Sequence, residues 1–316
     1  MQTNQPALSV RNLHKIYPGK KPFVAVDGIS FDLSPGEILG LLGPNGAGKT
    51  TTIQMLMSTL TYTSGSIVYF GKDFKKHRSD ILQKVVFAST YVSLPWNLTV
   101  EQNLEVFGRL YSLSKKEILK RLDPLLERFG ILEKKKTLIS RLSSGQITRL
   151  MLIKAFLVQP KILLLDEPTA SLDPDVAHAV CQFLLEQREK EGLSILFTSH
   201  KMDEVAELCD RVLFIQKGKI IADDLPEKLA MSVSSCKLQL LVGDGMKRTI
   251  AIAEKLKMPY QQENRFIEVK LDESQIAQFL TELAKAGVSY TNITIFQPTL
   301  EDYFLKMVGK NNDYKF

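Results

Sequence analysis

The feature that most constrains the fold of this chain is a glycine-rich octapeptide, Gly43-Pro44-Asn45-Gly46-Ala47-Gly48-Lys49-Thr50. It fits the phosphate-loop pattern G-x-x-x-x-G-K-[ST]. The apolar run Glu37–Leu42 before it predicts a strand, and the spacing of apolar residues in Thr51–Leu60 predicts a helix. Backbone N–H groups at such a strand-to-helix turn converge at the positive end of the helix dipole. The octapeptide therefore predicts a site for the phosphates of a nucleotide.

Individual residues of this loop suit the parts of a nucleoside triphosphate. Gly46 and Gly48 lack a Cβ, so the backbone can approach the phosphate oxygens closely. We expect Lys49 to reach the β- and γ-phosphates and Thr50 to offer its hydroxyl to Mg²⁺.

Length and composition indicate a globular protein with two domains. The 316 residues suffice for one large α/β domain and a smaller one. No apolar run approaches the roughly 18 residues of a membrane span, and Met1–Ala7 lacks the layout of a secretion signal. Cys181, Cys209 and Cys236 are far apart, which argues against zinc and disulfides. We therefore expect a cytoplasmic protein. Its net charge of +6 is too dilute to predict nucleic acid as a partner.

The N-terminal region alternates apolar and polar residues in two runs, Leu8–Leu13 and Val26–Leu33. This period indicates antiparallel strands with one packed face. Tyr17 ends the first run, ahead of the phosphate loop. It could stack on an adenine ring or simply belong to the turn, and the pattern alone leaves both readings open.

Between Leu94 and Arg128 the period becomes helical, with Thr99 and Ser114 as predicted N-caps. A further helix follows Leu142-Ser143-Ser144-Gly145-Gln146 and runs to about Val158. Its N-terminus again offers a phosphate-binding geometry. The region of residues 94–158 therefore predicts a helical subdomain inserted in an α/β domain.

Carboxylates and a histidine follow two predicted buried strands. Asp166 and Glu167 come directly after the aliphatic run Ile162–Leu165, and His200 comes shortly after Ser194–Thr198. Such strands are typical of a parallel sheet, whose carboxyl edge binds ligands. We therefore expect these three side chains to lie at the edge that also carries Lys49.

From about Pro226 the pattern changes to that of a small α+β domain. Strands are predicted at Leu238–Val242, Phe266–Leu271 and Tyr290–Phe296, with a helix at Ser274–Ala286. No catalytic constellation is evident in this part of the sequence.

Taken in order, the motifs of residues 8–225 resemble those of the ATP-binding subunit of an ABC transporter. They are the phosphate loop (43–51), the signature (142–146), the Walker B strand (162–167), the Asp-loop (171–173) and the switch histidine His200. The segment Pro298–Phe304 is similar to the C-terminal end of ATPases that serve ABC-2-type exporters.

The resemblance implies a role for each motif residue. Tyr17 would stack on adenine, Thr50 would hold Mg²⁺ directly and Asp166 through water. Glu167 would deprotonate the attacking water, and His200 would contact the γ-phosphate. The implied ATP-binding set comprises Tyr17, Gly43, Pro44, Asn45, Gly46, Ala47, Gly48, Lys49, Thr50, Thr51, Ser143, Gly145, Gln146 and Asp173.

The resemblance also implies partners. Ser143 and Gly145 would bind the γ-phosphate of ATP held by a second ATPase subunit, so that ATP joins a homodimer. An integral membrane permease would hold this dimer at the inner face of the cell membrane. No nucleic acid is expected, although a soluble ABC ATPase acting on nucleic acid or ribosomes is the alternative.

Two positions depart from the family's pattern. Ser144 stands where the signature usually has glycine, and Thr90 stands where a glutamine is usual. The predicted architecture is a P-loop NTPase of the ABC type with antiparallel β and helical subdomains (residues 1–228), followed by a small α+β domain (residues 229–316).

Overall fold

The computed structural model describes residues 5–89, 94–232 and 236–309. The chain divides into two compact units, Met1–Leu225 and Pro226–Phe316. Within the described ranges, no helix is long and apolar enough to cross a membrane. Each unit has its own sheet system and its own core, and the two are described in turn.

The first unit contains ten strands in its described part. They are β1 (Leu8–Tyr17), β2 (Phe23–Leu33), β3 (Ile38–Leu42), β4 (Ser64–Tyr69), β5 (Lys72–Asp73), β6 (Val85–Ser89), β7 (Ile162–Asp166), β8 (Ser194–Thr198), β9 (Arg211–Gln216) and β10 (Lys219–Asp224). Its α-helices are α1 (Lys49–Leu56), α2 (Arg78–Leu82), α3 (Val100–Leu110), α4 (Lys115–Arg128), α5 (Ser144–Leu157), α6 (Pro174–Glu191) and α7 (Met202–Leu208).

The larger sheet of this unit has the strand order β10-β9-β3-β8-β7-β6. Strands β9, β3, β8, β7 and β6 are parallel, and β10 closes one edge as the antiparallel partner of β9. The carboxyl ends of parallel strands meet at one edge, so β3, β7 and β8 deliver the residues that follow them to the same place.

The smaller sheet is antiparallel, with the order β2-β1-β4-β5. The two runs predicted as antiparallel strands pair as expected, with Leu8 opposite Leu33. One hydrophobic cluster joins both sheets and α1, and includes Val10, Phe31, Leu41, Leu164 and Ile53. This shared core fixes the smaller sheet and the phosphate loop against the parallel sheet.

Three helices of the first unit begin with a capping box, in which an N-cap hydroxyl and a side chain three residues later bond each other's backbone N–H. The N-caps are Thr99 on α3, Ser114 on α4 and Ser143 on α5. The caps predicted at Thr99 and Ser114 are therefore confirmed. The three helices pack on one another and form the helical region expected within residues 94–158.

Two predicted boundaries were wrong by several residues. The helix expected over Thr51–Leu60 starts at Lys49 and ends at Leu56, because Ser58 takes a left-handed conformation and breaks the ladder. Strand β4 ends at Tyr69, since Phe70 and Gly71 both have positive φ and form a turn.

The second unit is a four-stranded antiparallel sheet with helices. Its strands are β11 (Cys236–Asp244), β12 (Tyr260–Glu263), β13 (Phe266–Leu271) and β14 (Ser289–Phe296), in the order β12-β13-β11-β14. Its helices are α8 (Pro226–Met231), α9 (Met246–Lys255), α10 (Glu273–Lys285) and α11 (Leu300–Gly309). Its core includes Leu240, Val269 and Phe279. The three predicted strands and the helix at α10 are present, whereas β12, α8, α9 and α11 were not predicted.

Candidate active site

The phosphate loop joins β3 to α1 and depends on two glycines with positive φ. Gly43 has φ 150°, and a Cβ there would lie 2.0 Å from the carbonyl oxygen of Ile215. Gly48 has φ 110°, and its Cβ would lie 2.6 Å from the carbonyl oxygen of Ala25. Any side chain at either position would collide with backbone, so the loop geometry requires glycine.

Lys49 is the first residue of α1 and folds back over the loop. Its Nζ donates to the carbonyl oxygens of Gly43, at 2.6 Å, and Pro44, at 3.2 Å. Burial lowers the pKa of this ammonium, while the nearby carboxylates of Glu167 and Asp166 act in the opposite direction. The Lys49 ammonium is thus fixed beside the converging N–H groups of the loop.

Asp166 and Glu167 are held by the neighbouring strand β8. Asp166 pairs with Thr198 in the parallel ladder, and the Thr198 hydroxyl donates to its Oδ1 at 2.7 Å. Glu167 has φ 53°, an uncommon value for a residue with a side chain. Its N–H donates to both the carbonyl and the hydroxyl oxygen of Thr198, each at 3.2 Å. These bonds hold Glu167 in a turn that ends the strand.

Glu167 and His200 form a close pair. The His200 backbone N–H donates to Glu167 Oε2 at 3.2 Å, and His200 Nε2 lies 3.1 Å from Oε1. The carboxylate is largely buried, with 11% of its side chain exposed, whereas the imidazole is 53% exposed. Burial raises the pKa of Glu167, and the nearby imidazole counteracts part of that rise. A carboxylate with a raised pKa is suited to accept a proton from water.

These groups line one cavity of about 650 Å³. The sequence-predicted residues in its lining are Asn45, Gly46, Ala47, Gly48, Lys49, Thr50, Thr51, Asp166, Glu167 and His200. Gly43 and Pro44 contribute through their carbonyl bonds to Lys49. The lysine, both carboxylates and the histidine, which lie far apart in the sequence, thus reach a single cavity.

Phe23 at the start of β2 also lines the cavity and was missed by the sequence interpretation. Its ring is 60% exposed and stacks on Tyr17, with 6.4 Å between centroids. Tyr17 does not belong to the described lining of the cavity. The Lys15 ammonium lies over its ring, 4.9 Å from the centroid, in a cation–π contact. Phe23 could have been considered because it lies next to the turn at residues 17–22. Tyr17 lies next to the same turn, so this position did not distinguish the two aromatic residues.

The remaining predicted residues also lie outside the described lining of this cavity. Ser143 and Gln146 are occupied with each other: the Ser143 hydroxyl accepts from the Gln146 N–H, and Gln146 Oε1 accepts from the Ser143 N–H. A Cβ on Gly145 would be 3.4 Å from the Ser171 carbonyl oxygen, and Asp173 is the N-cap of α6. Signature and Asp-loop are therefore adjacent. Thr90 lies outside the described residues.

The oxygens of Thr50 and Asp166 are suited to a hard cation. One hydroxyl and one carboxylate face the same cavity. Mg²⁺ commonly takes one or two protein carboxylates and completes its shell with water and substrate phosphates. The donor set therefore fits the ion that the motif pattern implied.

The fold and the cavity together define a P-loop nucleotide-binding cassette. The family model described as "ABC transporter" matches residues 26–170. The chain is 32% identical over 310 residues to the linearmycin resistance ATP-binding protein LnrL of Bacillus subtilis, covering 96% of this chain and 98% of that protein. It is 33% identical over 309 residues to the Nod factor export ATP-binding protein I of Cupriavidus metallidurans, covering 96% of this chain and 97% of that protein.

A solved structure, the ATP-binding subunit of an ABC transporter, superimposes with a TM-score of 0.66 at 26% identity and covers 72% of this chain and 92% of that one. The chain belongs to the family of ATP-binding subunits of ABC transporters. It is an ATPase, and the interpretation of the sequence as an ABC-type P-loop NTPase is confirmed.

Proposed function

We propose that this ATPase powers export by an ABC-2-type permease and is held by that permease at the inner face of the membrane. Relatives named for Nod factor export and for linearmycin resistance match nearly the whole chain, including the second unit. Export of a molecule is the activity that would unite such relatives. The alternative of a soluble ABC ATPase acting on nucleic acid or ribosomes has no comparable support.

The observation that carries the hydrolytic part of the proposal is the meeting of Lys49, Asp166, Glu167 and His200 in one cavity. Glu167 accepts a proton from the attacking water, and its raised pKa suits that role. The Lys49 ammonium stabilises negative charge on the phosphates, and His200 contacts the γ-phosphate. Mg²⁺, held by Thr50 and through water by Asp166, would neutralise further phosphate charge. Positioning and electrostatics supply the catalysis.

The signature residues support a composite site in a homodimer. Ser143, Gly145, Gln146 and Asp173 do not reach the cavity of their own chain. A second copy would place them against the γ-phosphate bound to the first chain. In this arrangement ATP joins the two subunits, and hydrolysis releases them.

Exposed apolar side chains in the helical region support docking to a membrane partner. Trp96 is 55% exposed, and Val106 and Leu110, one turn apart on α3, are 52% and 69% exposed. Large apolar side chains left exposed in this way are candidates for an interaction site. We propose that a cytoplasmic segment of the permease covers them.

Glu167→Gln tests the hydrolytic assignment. ATP binding should remain, while turnover should fall on the order of 10²–10⁴-fold because the general base is lost. On size exclusion with ATP, the variant should run as a dimer. Glu191→Gln, an exposed carboxylate at the end of α6, is the control and should match wild type. Wild-type turnover in Glu167→Gln would show that Glu167 is not the general base.

A photo-reactive residue at Trp96 tests the membrane partner. In cells it should crosslink to an integral membrane protein. The same probe at Ile221 of β10, which is 44% exposed, is the control for nonspecific capture. Crosslinks from Trp96 only to ribosomal or DNA-bound proteins would support the soluble alternative instead.

A further inference from the structure

A carboxylate outside the cavity lining joins the two loops that carry Glu167 and His200. Glu204 lies in the first turn of α7. Its Oε2 accepts hydrogen bonds from the Thr169 hydroxyl at 2.5 Å and the Ser199 hydroxyl at 3.3 Å. Thr169 and Ser199 are 1% and 3% exposed. A hydrogen bond from a buried hydroxyl to a carboxylate is strong, because a buried hydroxyl without an acceptor would lower the stability of the fold.

Lys201 closes the same network. Its Nζ lies 2.9 Å from Glu204 Oε1 and 3.5 Å from the Thr169 carbonyl oxygen, to which it also donates. Its backbone N–H donates to the Ser199 hydroxyl at 3.0 Å. The Glu204 carboxylate thus accepts from two hydroxyls and one ammonium, and every donor belongs to one of the two loops.

Both loops lead directly to the reacting pair. Ser199 immediately precedes His200, whose N–H bonds the Glu167 carboxylate. Thr169 follows Glu167 in a turn closed by the bond from the Ala170 N–H to the Glu167 carbonyl oxygen at 3.3 Å. Any movement of Thr169 relative to Ser199 would therefore alter the contact between Glu167 and His200.

We propose that Glu204 is a positioning residue for hydrolysis, which holds the His200 loop against the turn after Glu167. The inference rests on the proposed roles of Glu167 and His200. Glu207, one turn further along α7, contacts Gln182 of α6 at 3.1 Å instead. Glu204 and Glu207 therefore lie on the same short helix but bond different partners. Glu207 provides a matched control for Glu204.

The first test is Glu204→Gln in the full chain. A glutamine keeps the size of the side chain, but it has one oxygen for three donors and turns an amide N–H₂ toward a donor. We expect kcat to fall on the order of tenfold through misplacement of the pair, with the dissociation constant for ATP unchanged. Glu207→Gln should retain wild-type kcat. A wild-type kcat in Glu204→Gln would overturn the proposal.

The second test separates positioning from a general loss of structure. If Glu204 acts through the placement of His200, the combined loss of kcat in Glu204→Gln/His200→Ala should be smaller than the product of the two single losses. Part of the Glu204 effect should remain, because His200→Ala keeps the backbone N–H that bonds Glu167. Independent, multiplicative losses would overturn the proposal. Glu207→Gln combined with His200→Ala is the control cycle.

Thr169 provides an independent pair should Glu204→Gln unfold. Thr169→Val removes the hydroxyl and should lower kcat, whereas Thr169→Ser keeps the hydroxyl and should restore it. Equal kcat in both would overturn the inference. The result for Glu167→Gln is separate: if that variant turns over normally, the proposed function fails, whatever Glu204 does.

Discussion

Lys49 illustrates how much of this site is decided by single residues. Its ammonium is bonded to the carbonyl oxygens of Gly43 and Pro44 while facing the cavity. Removing it would leave the loop without its cation and would break the 2.6 Å bond to the Gly43 carbonyl oxygen, while the Pro44 oxygen would keep the bond from the Ala47 N–H at 3.1 Å. Phosphate binding and the shape of the loop therefore depend on the same side chain.

Lys49→Ala should weaken ATP binding by at least tenfold, since a hydrogen bond to a charged group is worth about 1.5–3 kcal/mol. Titration with a fluorescent ATP analogue measures the effect. Lys161→Ala, an exposed lysine just before β7, is the control and should keep wild-type affinity. Unchanged affinity in Lys49→Ala would mean that the loop is not the nucleotide cradle.

At the residue scale, the sequence predicted those site residues whose positions follow from strand ends. Asp166 ends the buried parallel strand β7 and His200 follows β8, so their common edge could be inferred before any coordinates. Phe23 and Glu204 could not be inferred in this way. Glu204 is placed by its contact with Thr169, which is distant in the chain. Phe23 reaches the site only because the fold brings the start of β2 to the cavity that the loop also lines.

At the scale of helices, one local arrangement is used for different purposes. The capping boxes of α4 and α5 share one bond: the hydroxyl of Ser114 or Ser143 accepts from a backbone N–H at 3.3 Å. The Ser114 hydroxyl also donates to the Glu117 carboxylate at 2.6 Å. Both serines are exposed. Only Ser143 belongs to the signature, where its hydroxyl would also meet the γ-phosphate of a partner subunit.

Ser114→Ala and Ser143→Ala should therefore separate stability from function. Each should lower the free energy of unfolding by about 1 kcal/mol through loss of the cap. Only Ser143→Ala should lose ATPase activity. Thermal unfolding and phosphate release measure the two effects. Equal activity in the two variants would argue against a role for Ser143 beyond the cap.

Interior segments of helices and strands were more predictable than their ends. The caps at Thr99 and Ser114 are local patterns, and the structure confirms them. The end of α1 was misjudged because Leu60 fits the helical period but follows the left-handed Ser58. A periodic pattern shows which face is apolar and does not show where the backbone turns.

At the scale of the molecule, the change of pattern near Pro226 coincides with the division into two units. The β12 strand of the second unit was missed because it is a short edge strand with mostly exposed residues. Helix α9, which has ten residues, was missed as well. Each unit nevertheless has a hydrophobic core of its own.

A chain ending at Leu225 should fold and bind ATP with nearly the affinity of the full protein. The core of the first unit is drawn from residues before this point, and β10 completes the parallel sheet. A solved ABC ATP-binding subunit matches 72% of this chain with 92% of its own length. Ending the chain at Ile220 instead should lower the melting temperature, because it removes most of β10 from its pairing with β9. Circular dichroism and ATP titration measure both results. A folded chain ending at Leu225 that failed to bind ATP would assign part of the nucleotide site to the second unit.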